Sequence, residues 1–224
     1  MTTSATWETI TEAVAADAER LKTMTTHGEL FGWAKEHGLT GPQFAAVKHE
    51  LRKIGVDYDA IREQVTRQRL SELNADAAEG VPVIRLSAAG ADSVNSYAVC
   101  DAEGNALWYG TFHARDRHYR KGDQTSADQS AAGKAIFLAS KARQLAKAEV
   151  ARLHLTLTNP HVDTSSLIRE ATAWRLLLDI EIDDDPATAP SAVSWCETAG
   201  YKDWKEADLS ALLDAQTDAV EEQA

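Results

Sequence analysis

The sequence predicts an α+β or α/β protein in which a helical N-terminal module precedes a mixed β-sheet with flanking helices. Apolar residues recur with a helical period as far as about residue 75, and from Val81 they alternate with a period of two. Three strand-like runs then precede an alternation of helix-like and strand-like segments. This order favours a mixed five-stranded sheet with helices packed on it.

Four helices are predicted in the N-terminal module. Trp7, Ile10, Val14 and Leu21 have helical spacing, with acidic residues on the other faces. Glycine and proline residues mark the ends of the next helices, as is typical of helix boundaries. The four predicted helices cover residues 7–24, 28–38, 42–55 and 57–74.

The second and third of these helices resemble a helix-turn-helix, because only the Gly38–Gly41 turn separates them. The later helix would present polar and basic side chains that could meet phosphates or bases. These residues are Gln43, Lys48, His49, Arg52 and Lys53. The alternative is an ordinary helical hairpin that packs or binds a partner, and the module's acidic balance favours this alternative.

The C-terminal region predicts strands and helices in the order βββ-α-β-α-β-α. The predicted strands cover residues 81–89, 95–101, 106–113, 152–159 and 192–198. The predicted helices cover residues 130–149, 162–179 and 201–216. We therefore divide the chain into a helical module (1–75), a linker (76–80), a sheet domain (81–215) and an acidic tail (216–224).

Three segments of the sheet domain resemble the type I ribonuclease H family. Residues 83–113 are similar to its opening three-strand meander, and TSADQSAAGKAIFLASKARQL followed by RLHLTLTN is similar to its first helix and fourth strand. AVSWCETAGYKDWKEADLSALL is similar to its closing strand and helix. The resemblance covers residues 81–215 and implies a ribonuclease H-like sheet.

In that family, four carboxylates at the strand ends hold two divalent metals for phosphodiester cleavage. The resemblance places the four positions at Ser87, Ser130, Asn159 and Asp208, of which only Asp208 is acidic. Asp128, two residues before Ser130, would restore one carboxylate if the alignment shifts. One or two carboxylates do not replace four in neutralising two cations, so we expect no catalysis, no metal and no cofactor.

A second group of candidate binding residues lies between positions 113 and 147. Arg115, Arg117, Arg120 and Lys121 surround Tyr119 in a predicted loop, and further basic residues follow on the next helix. Such a loop is suited to a phosphate backbone or to an acidic protein surface. Trp204, in a polar context, is expected to be exposed and to serve as an interface anchor.

The charge distribution favours a protein partner over free nucleic acid. The chain carries a net charge of −12, and residues 161–224 hold 4 basic and 15 acidic residues. An acidic protein is repelled by polyanionic DNA, whereas the basic surface of a nucleic-acid-processing enzyme would attract it. We also expect a cytoplasmic protein with no membrane segment and two inert thiols, at Cys100 and Cys196.

The sequence therefore predicts a non-catalytic regulatory or adaptor protein that modulates a DNA- or RNA-processing enzyme, such as a recombinase or a replication enzyme. Neither a small-molecule substrate nor a metal site is expected. The alternative is direct nucleic-acid binding through the helical hairpin and the 113–147 region. A residual metal-dependent nuclease centred on Asp208 is the third hypothesis.

Overall fold

The computed structural model describes residues 7–77, 81–116, 118–185 and 188–214. It divides into two compact units between Arg69 and Leu70, which lie within one continuous helix. Within the described ranges no helix is long and apolar enough to cross a membrane.

The first unit is helical, and its helices lie close to the predicted ranges, except that the first predicted helix, 7–24, is divided into two at Asp17. They are α1 (Trp7–Ala16), α2 (Ala18–Thr23), α3 (His27–Glu36), α4 (Phe44–Lys53) and the beginning of α5 (Tyr58–Asp76), with a 3₁₀ turn at Gly41–Gln43. Their apolar faces form one core that includes Val14, Leu21, Leu30, Trp33 and Leu51.

Local signals define the ends of these helices. Thr26 caps α3 through a reciprocal capping box with Glu29. Gly38 and Gly55, with φ of 69° and 86°, follow the ends of α3 and α4 in the left-handed region that glycine adopts without strain. The turn and the two helices predicted around Gly38 are therefore confirmed.

The second unit contains a mixed five-stranded sheet, as predicted. Its strands are β1 (Val83–Ala91), β2 (Ser96–Cys100), β3 (Ala106–Thr111), β4 (Ala151–Leu157) and β5 (Leu176–Ile182). They are ordered β3-β2-β1-β4-β5. The first three strands form an antiparallel meander, and β4 and β5 extend the sheet from β1 in parallel.

Helices cover both faces of the sheet. They are α6 (Gln124–Leu145), α7 (Thr164–Ala173), the short α8 (Ser191–Cys196) and α9 (Ala211–Asp214). The alanine-rich α6 packs against alternate strand residues such as Leu86, Leu153 and Leu155. On the opposite face, α8 packs against small residues such as Ala89 and Ala98.

The last strand does not lie where the sequence predicts it. Residues 192–198 were expected to form a strand, but α8 occupies Ser191–Cys196. The strand β5 instead forms from Leu176, within the segment expected to continue a helix. A short leucine run is compatible with both structures, and pairing with β4 decides in favour of the strand.

The predicted terminal helix is also interrupted. Within residues 201–214 only a 3₁₀ turn at Trp204–Glu206 and the four-residue α9 are helical. The linker predicted at 76–80 begins inside α5, because Asp76 is still helical and pairs with Arg175. Residues 78–80 and the predicted acidic tail 216–224 lie outside the described residues.

Candidate functional site

A buried carboxylate, Asp128, lies where the carboxyl ends of β1 and β4 meet α6. Its side chain is 3% exposed. One oxygen accepts the Gly90 N–H at 3.0 Å, and the other accepts the side-chain amides of Gln124 at 3.0 Å and Asn159 at 2.9 Å. We refer to Gly90, Gln124, Asp128 and Asn159 as the strand-end network.

The amide of Asn159 allows Asp128 to be hydrogen-bonded by neutral groups, without a cation. An aspartate at this position would offer only acceptors to Asp128, whereas the asparagine donates an N–H. The second amide, that of Gln124, also donates to the Gly90 carbonyl at 2.7 Å. Uncharged donors thus satisfy a buried carboxylate and join β1, α6 and the turn after β4.

The backbone of α6 approaches β1 closely at Gly90. A Cβ placed on Gly90 would lie 2.3 Å from the carbonyl carbon and 2.4 Å from the oxygen of Ala127. Real Cβ atoms do not approach backbone so closely, so only glycine fits. This contact presents the Gly90 N–H to Asp128.

The four positions taken from the ribonuclease H resemblance make separate contacts. Asn159 binds Asp128, whereas the hydroxyl of Ser130 donates to Asp116 at 3.2 Å. Ser87 alternates with residues that face α6, so its side chain lies on the other face of the sheet. Asp128, rather than Ser130, is thus the α6 side chain beside Asn159.

Asp208 lies far along the sheet from the strand-end network. It lines a cavity with Val83 and Arg85, five or more residues before Gly90 on β1. At about 3.3 Å per strand residue this is roughly 16 Å. Hydrogen bonds from the Ser210 side chain and backbone lower the pKa of Asp208.

A metal-binding cluster is absent from the described part of the chain. No three side chains of His, Cys, Asp or Glu there converge as ligands for an ion. The strand-end network contributes one carboxylate, and its oxygens already accept three N–H groups. These residues do not fit a two-metal centre, since two bridged cations need several anionic ligands.

A second polar cluster, centred on Asp116 and Lys134, lies beside α6 over aromatic rings of β2 and β3. The Lys134 ammonium donates to Asp116 at 2.6 Å, and the two side chains are 12% and 16% exposed, respectively. The same ammonium lies 4.5 Å from the centre of the Tyr97 ring and 5.1 Å from that of Trp108. Burial raises the pKa of Asp116, but the hydrogen bond and the positive charge of Lys134 lower it. Hydrogen bonds from the His113 N–H and the Ser130 hydroxyl lower it further, and the net shift is downward.

We expect Asp116→Asn to lower the free energy of unfolding by about 2 kcal/mol at pH 7, because a hydrogen-bonded charge pair is lost. A carboxyl with a lowered folded-state pKa contributes stability above its unfolded pKa and loses it as the pH falls through the folded pKa. The difference from wild type should therefore shrink below about pH 4. Urea denaturation at pH 7 and pH 3 measures both effects.

The matched control is Asp179→Asn, which removes a carboxylate paired with Arg152 but 48% exposed. Exposed pairs contribute little, so we expect a loss below about 1 kcal/mol. A loss for Asp116→Asn that is equally large at pH 3 would contradict the assignment of its effect to the charge.

The basic residues predicted to face DNA from the helical hairpin are engaged within their own unit. Lys48 and Arg52 both contact Asp59, at 3.0 Å each, and Lys53 contacts Glu50 at 2.7 Å. Lys48 and Arg52 share the Asp59 carboxylate with Arg62, so these side chains are already held by carboxylates of the same unit.

The basic loop, residues 113–121, differs from the helical hairpin because its described cationic side chains are exposed. Arg115, Arg120 and Lys121 are exposed, and Arg117 lies outside the described residues. Asp92 anchors the loop by accepting the Tyr119 hydroxyl at 2.9 Å and the Gly122 N–H at 2.8 Å. The Tyr119 ring also stacks on Phe112, with ring centres 4.1 Å apart.

Trp204 was expected to be exposed, but it is partly buried. Its ring packs edge-on against Phe137 of α6, with ring centres 5.2 Å apart, and joins the core of the second unit. The 3₁₀ turn directs the ring onto α6, which the polar sequence around it did not indicate.

Both cysteines are buried in the small-residue core beneath α8. Burial raises the pKa of Cys100 and of Cys196 to about 12 in each case. The Cys196 thiol donates to the Ala89 carbonyl at 3.2 Å. Thiols in this state are poor nucleophiles, in keeping with the role in packing predicted for them.

Sequence reasoning identified Asn159, noted Asp128 and placed Lys134 in the basic 113–147 region, but it missed Gly90 and Gln124 as site residues. The spacing of Gln124 and Asp128, four residues apart at the start of a helix, was an available signal. Nothing in the local sequence indicates that Gly90 meets α6, since 37 residues separate it from Ala127. Comparisons with family models, with curated proteins and with solved structures found no match for this chain.

Proposed function

We propose that the chain is a non-catalytic regulatory or adaptor protein, ribonuclease H-like in its second unit, that binds a DNA- or RNA-processing protein and modulates it. The strand-end network carries the proposal. At one of the positions where the resemblance implies a metal-holding carboxylate, the Asn159 amide instead donates to the buried Asp128, which Gln124 also satisfies. Such a site stabilises the fold without a cation and leaves the surface available for binding.

The element order supports the ribonuclease H-like part of the proposal. Three antiparallel strands, a long helix and a strand parallel to β1 follow one another as the resemblance implies. A strand and a short helix, β5 and α8, follow β4 and α7, but the segment that resembles the family's closing strand is itself the helix α8, so that part of the resemblance is not reproduced. Fold likeness by itself does not define a function, so the binding role needs separate support.

Acidic side chains around Arg85 support a basic protein partner. Two cavities, of about 360 and 450 Å³, share Arg85, Asp101, Ala102 and Glu103 in their linings. The remaining carboxylates of the two linings are Asp208, Glu181 and Asp183. Such a concentration of negative charge favours encounter with a basic protein surface.

The pairing of Lys48, Arg52 and Lys53 with nearby carboxylates also favours a partner over DNA. Binding phosphates through these side chains would require the existing ion pairs to be broken. If the helical hairpin serves for packing or for contact with a partner, these ion pairs can stay intact.

The binding test uses charge reversal at Glu103 and Glu181. Neither side chain takes part in a hydrogen bond or ion pair with the described residues, so Glu103→Lys/Glu181→Lys should leave the fold intact. We expect this variant to lose at least tenfold in affinity for the partner recovered with the wild-type chain. Its matched control is Glu8→Lys/Glu12→Lys, which makes the same charge change on exposed positions of α1.

The catalytic test uses an RNA–DNA hybrid with Mg²⁺ or Mn²⁺. We expect no cleavage by the wild-type chain. Cleavage that disappears in Asp208→Asn would instead establish the nuclease hypothesis.

In the binding test, complexes that are unchanged by the charge reversal at Glu103 and Glu181 would show that this acidic surface is not the partner site.

A further inference from the structure

An open groove of about 690 Å³ lies along the outer side of α6, between the basic loop and α7. This volume is within the range of small-ligand sites. Three aromatic and three basic side chains contribute to its lining. They are Trp108, Phe137 and Trp174, with Arg115, His118 and Lys134.

The aromatic residues give the groove flat apolar surfaces. Trp174, which follows the end of α7, is 38% exposed, although it is a large apolar side chain. Phe137 lies between Trp108 and Trp204, with ring centres 6.0 and 5.2 Å away. Among the three rings of the lining Trp174 is the exposed one, and an exposed ring in a concave site is suited to stacking against a planar ligand.

The basic residues give the same groove capacity for an anion. Within the described residues the Lys134 ammonium has one oxygen partner, Asp116, and its other neighbours are ring faces. The Arg115 and His118 side chains are exposed and form no ion pair with any described residue. Residues 113–147 hold 8 basic and 3 acidic residues in a chain of net charge −12.

A glycine on α6 keeps the groove open. Gly133 lies inside a 22-residue helix, where glycine costs about 1 kcal/mol relative to alanine. A Cβ on Gly133 would meet only the Glu170 carboxylate, at 3.6 Å and 3.9 Å, which is ordinary contact. Packing therefore does not require this glycine, in contrast to Gly90. A side chain here would project into the groove.

We propose that the groove binds a nucleotide, with its base against Trp174, beside Phe137, and its phosphate on Arg115 and His118. The planar base matches the exposed Trp174 ring, and the phosphate matches the Arg115 and His118 side chains, which are exposed and form no ion pair with any described residue. The nucleotide is either free or part of a single strand. The proposal is independent of the adaptor role.

Calorimetric titration of the full chain tests the ligand class with AMP, adenosine and ribose 5-phosphate. We expect saturable AMP binding, with each fragment at least tenfold weaker because it lacks either the charge or the ring. A 5′-phosphorylated dA₈ oligonucleotide distinguishes the sources. If the oligonucleotide binds at least tenfold more tightly than AMP, the natural ligand is a nucleotide within a single strand. If it does not, the natural ligand is a free nucleotide.

Three variants locate the site. Trp174→Ala and Arg115→Glu should each weaken AMP binding at least tenfold, and Gly133→Leu should block it by filling the groove. Gly133→Ala is the matched control, and thermal melting establishes that each variant folds. Absence of binding by AMP and the oligonucleotide at millimolar concentration would overturn the proposal. Unchanged binding by folded Gly133→Leu would also overturn it.

Discussion

Replacing Gly90 with alanine is expected to lower the free energy of unfolding by about 3 kcal/mol or more. The added Cβ would lie 2.3 Å from the backbone of Ala127, so α6 must move away from β1. That movement also disturbs the hydrogen bond from the Gly90 N–H to Asp128. Urea denaturation followed by circular dichroism measures the loss.

The matched control for this substitution is Gly133→Ala, on the outer side of α6. We expect it to be neutral or to stabilise the protein by up to about 1 kcal/mol, because alanine favours the helix and its Cβ makes ordinary contacts. Equal effects of the two substitutions would show that α6 does not approach β1 as closely as described.

The second large effect is expected for Asn159→Asp, which should destabilise the protein by about 3 kcal/mol at pH 7. The substitution replaces a donor to Asp128 with a second carboxylate, and two like charges in hydrogen-bond contact repel each other. As the pH falls towards 4, a proton retained by one carboxyl group restores a donor. The loss should then be smaller, as denaturation at pH 7 and pH 4.5 would show.

An exchange of the two residues tests the same contact. The double variant Asp128→Asn/Asn159→Asp again pairs one carboxylate with one amide, so it should recover part of the stability lost in Asn159→Asp. Recovery is incomplete if the Gln124 and Gly90 N–H groups prefer the original carboxylate. No recovery at all would mean that Asn159 and Asp128 do not interact as described.

The helices of the first unit could be predicted because their signals are local. Apolar spacing indicates the buried faces, and residues such as Thr26, Gly38 and Gly55 define helix ends within a few positions. The opening strands of the second unit were predictable for the same reason, since β1, β2 and β3 pair through short connections.

The last strand could not be assigned from local pattern. Leu176, Leu177 and Leu178 match a buried helix as well as a buried strand, and only their pairing with β4 selects the strand. Similarly, the short α8 at Ser191–Cys196 buries Ala192 and Cys196 against a sheet face lined with alanine. Both choices depend on contacts with residues distant in the chain.

The candidate site shows the same division between local and distant information. The amide at position 159, the carboxylate at 128 and the absence of acids at Ser87 and Ser130 are legible in the sequence, and they favour a site without catalytic metals. Tertiary structure alone decides that Asn159 donates to Asp128 while Ser130 turns to Asp116. The chemistry of each side chain is set by the sequence alone. The hydrogen bond between Asn159 and Asp128, which are 31 positions apart, forms only because the folded sheet and α6 bring the two side chains to 2.9 Å.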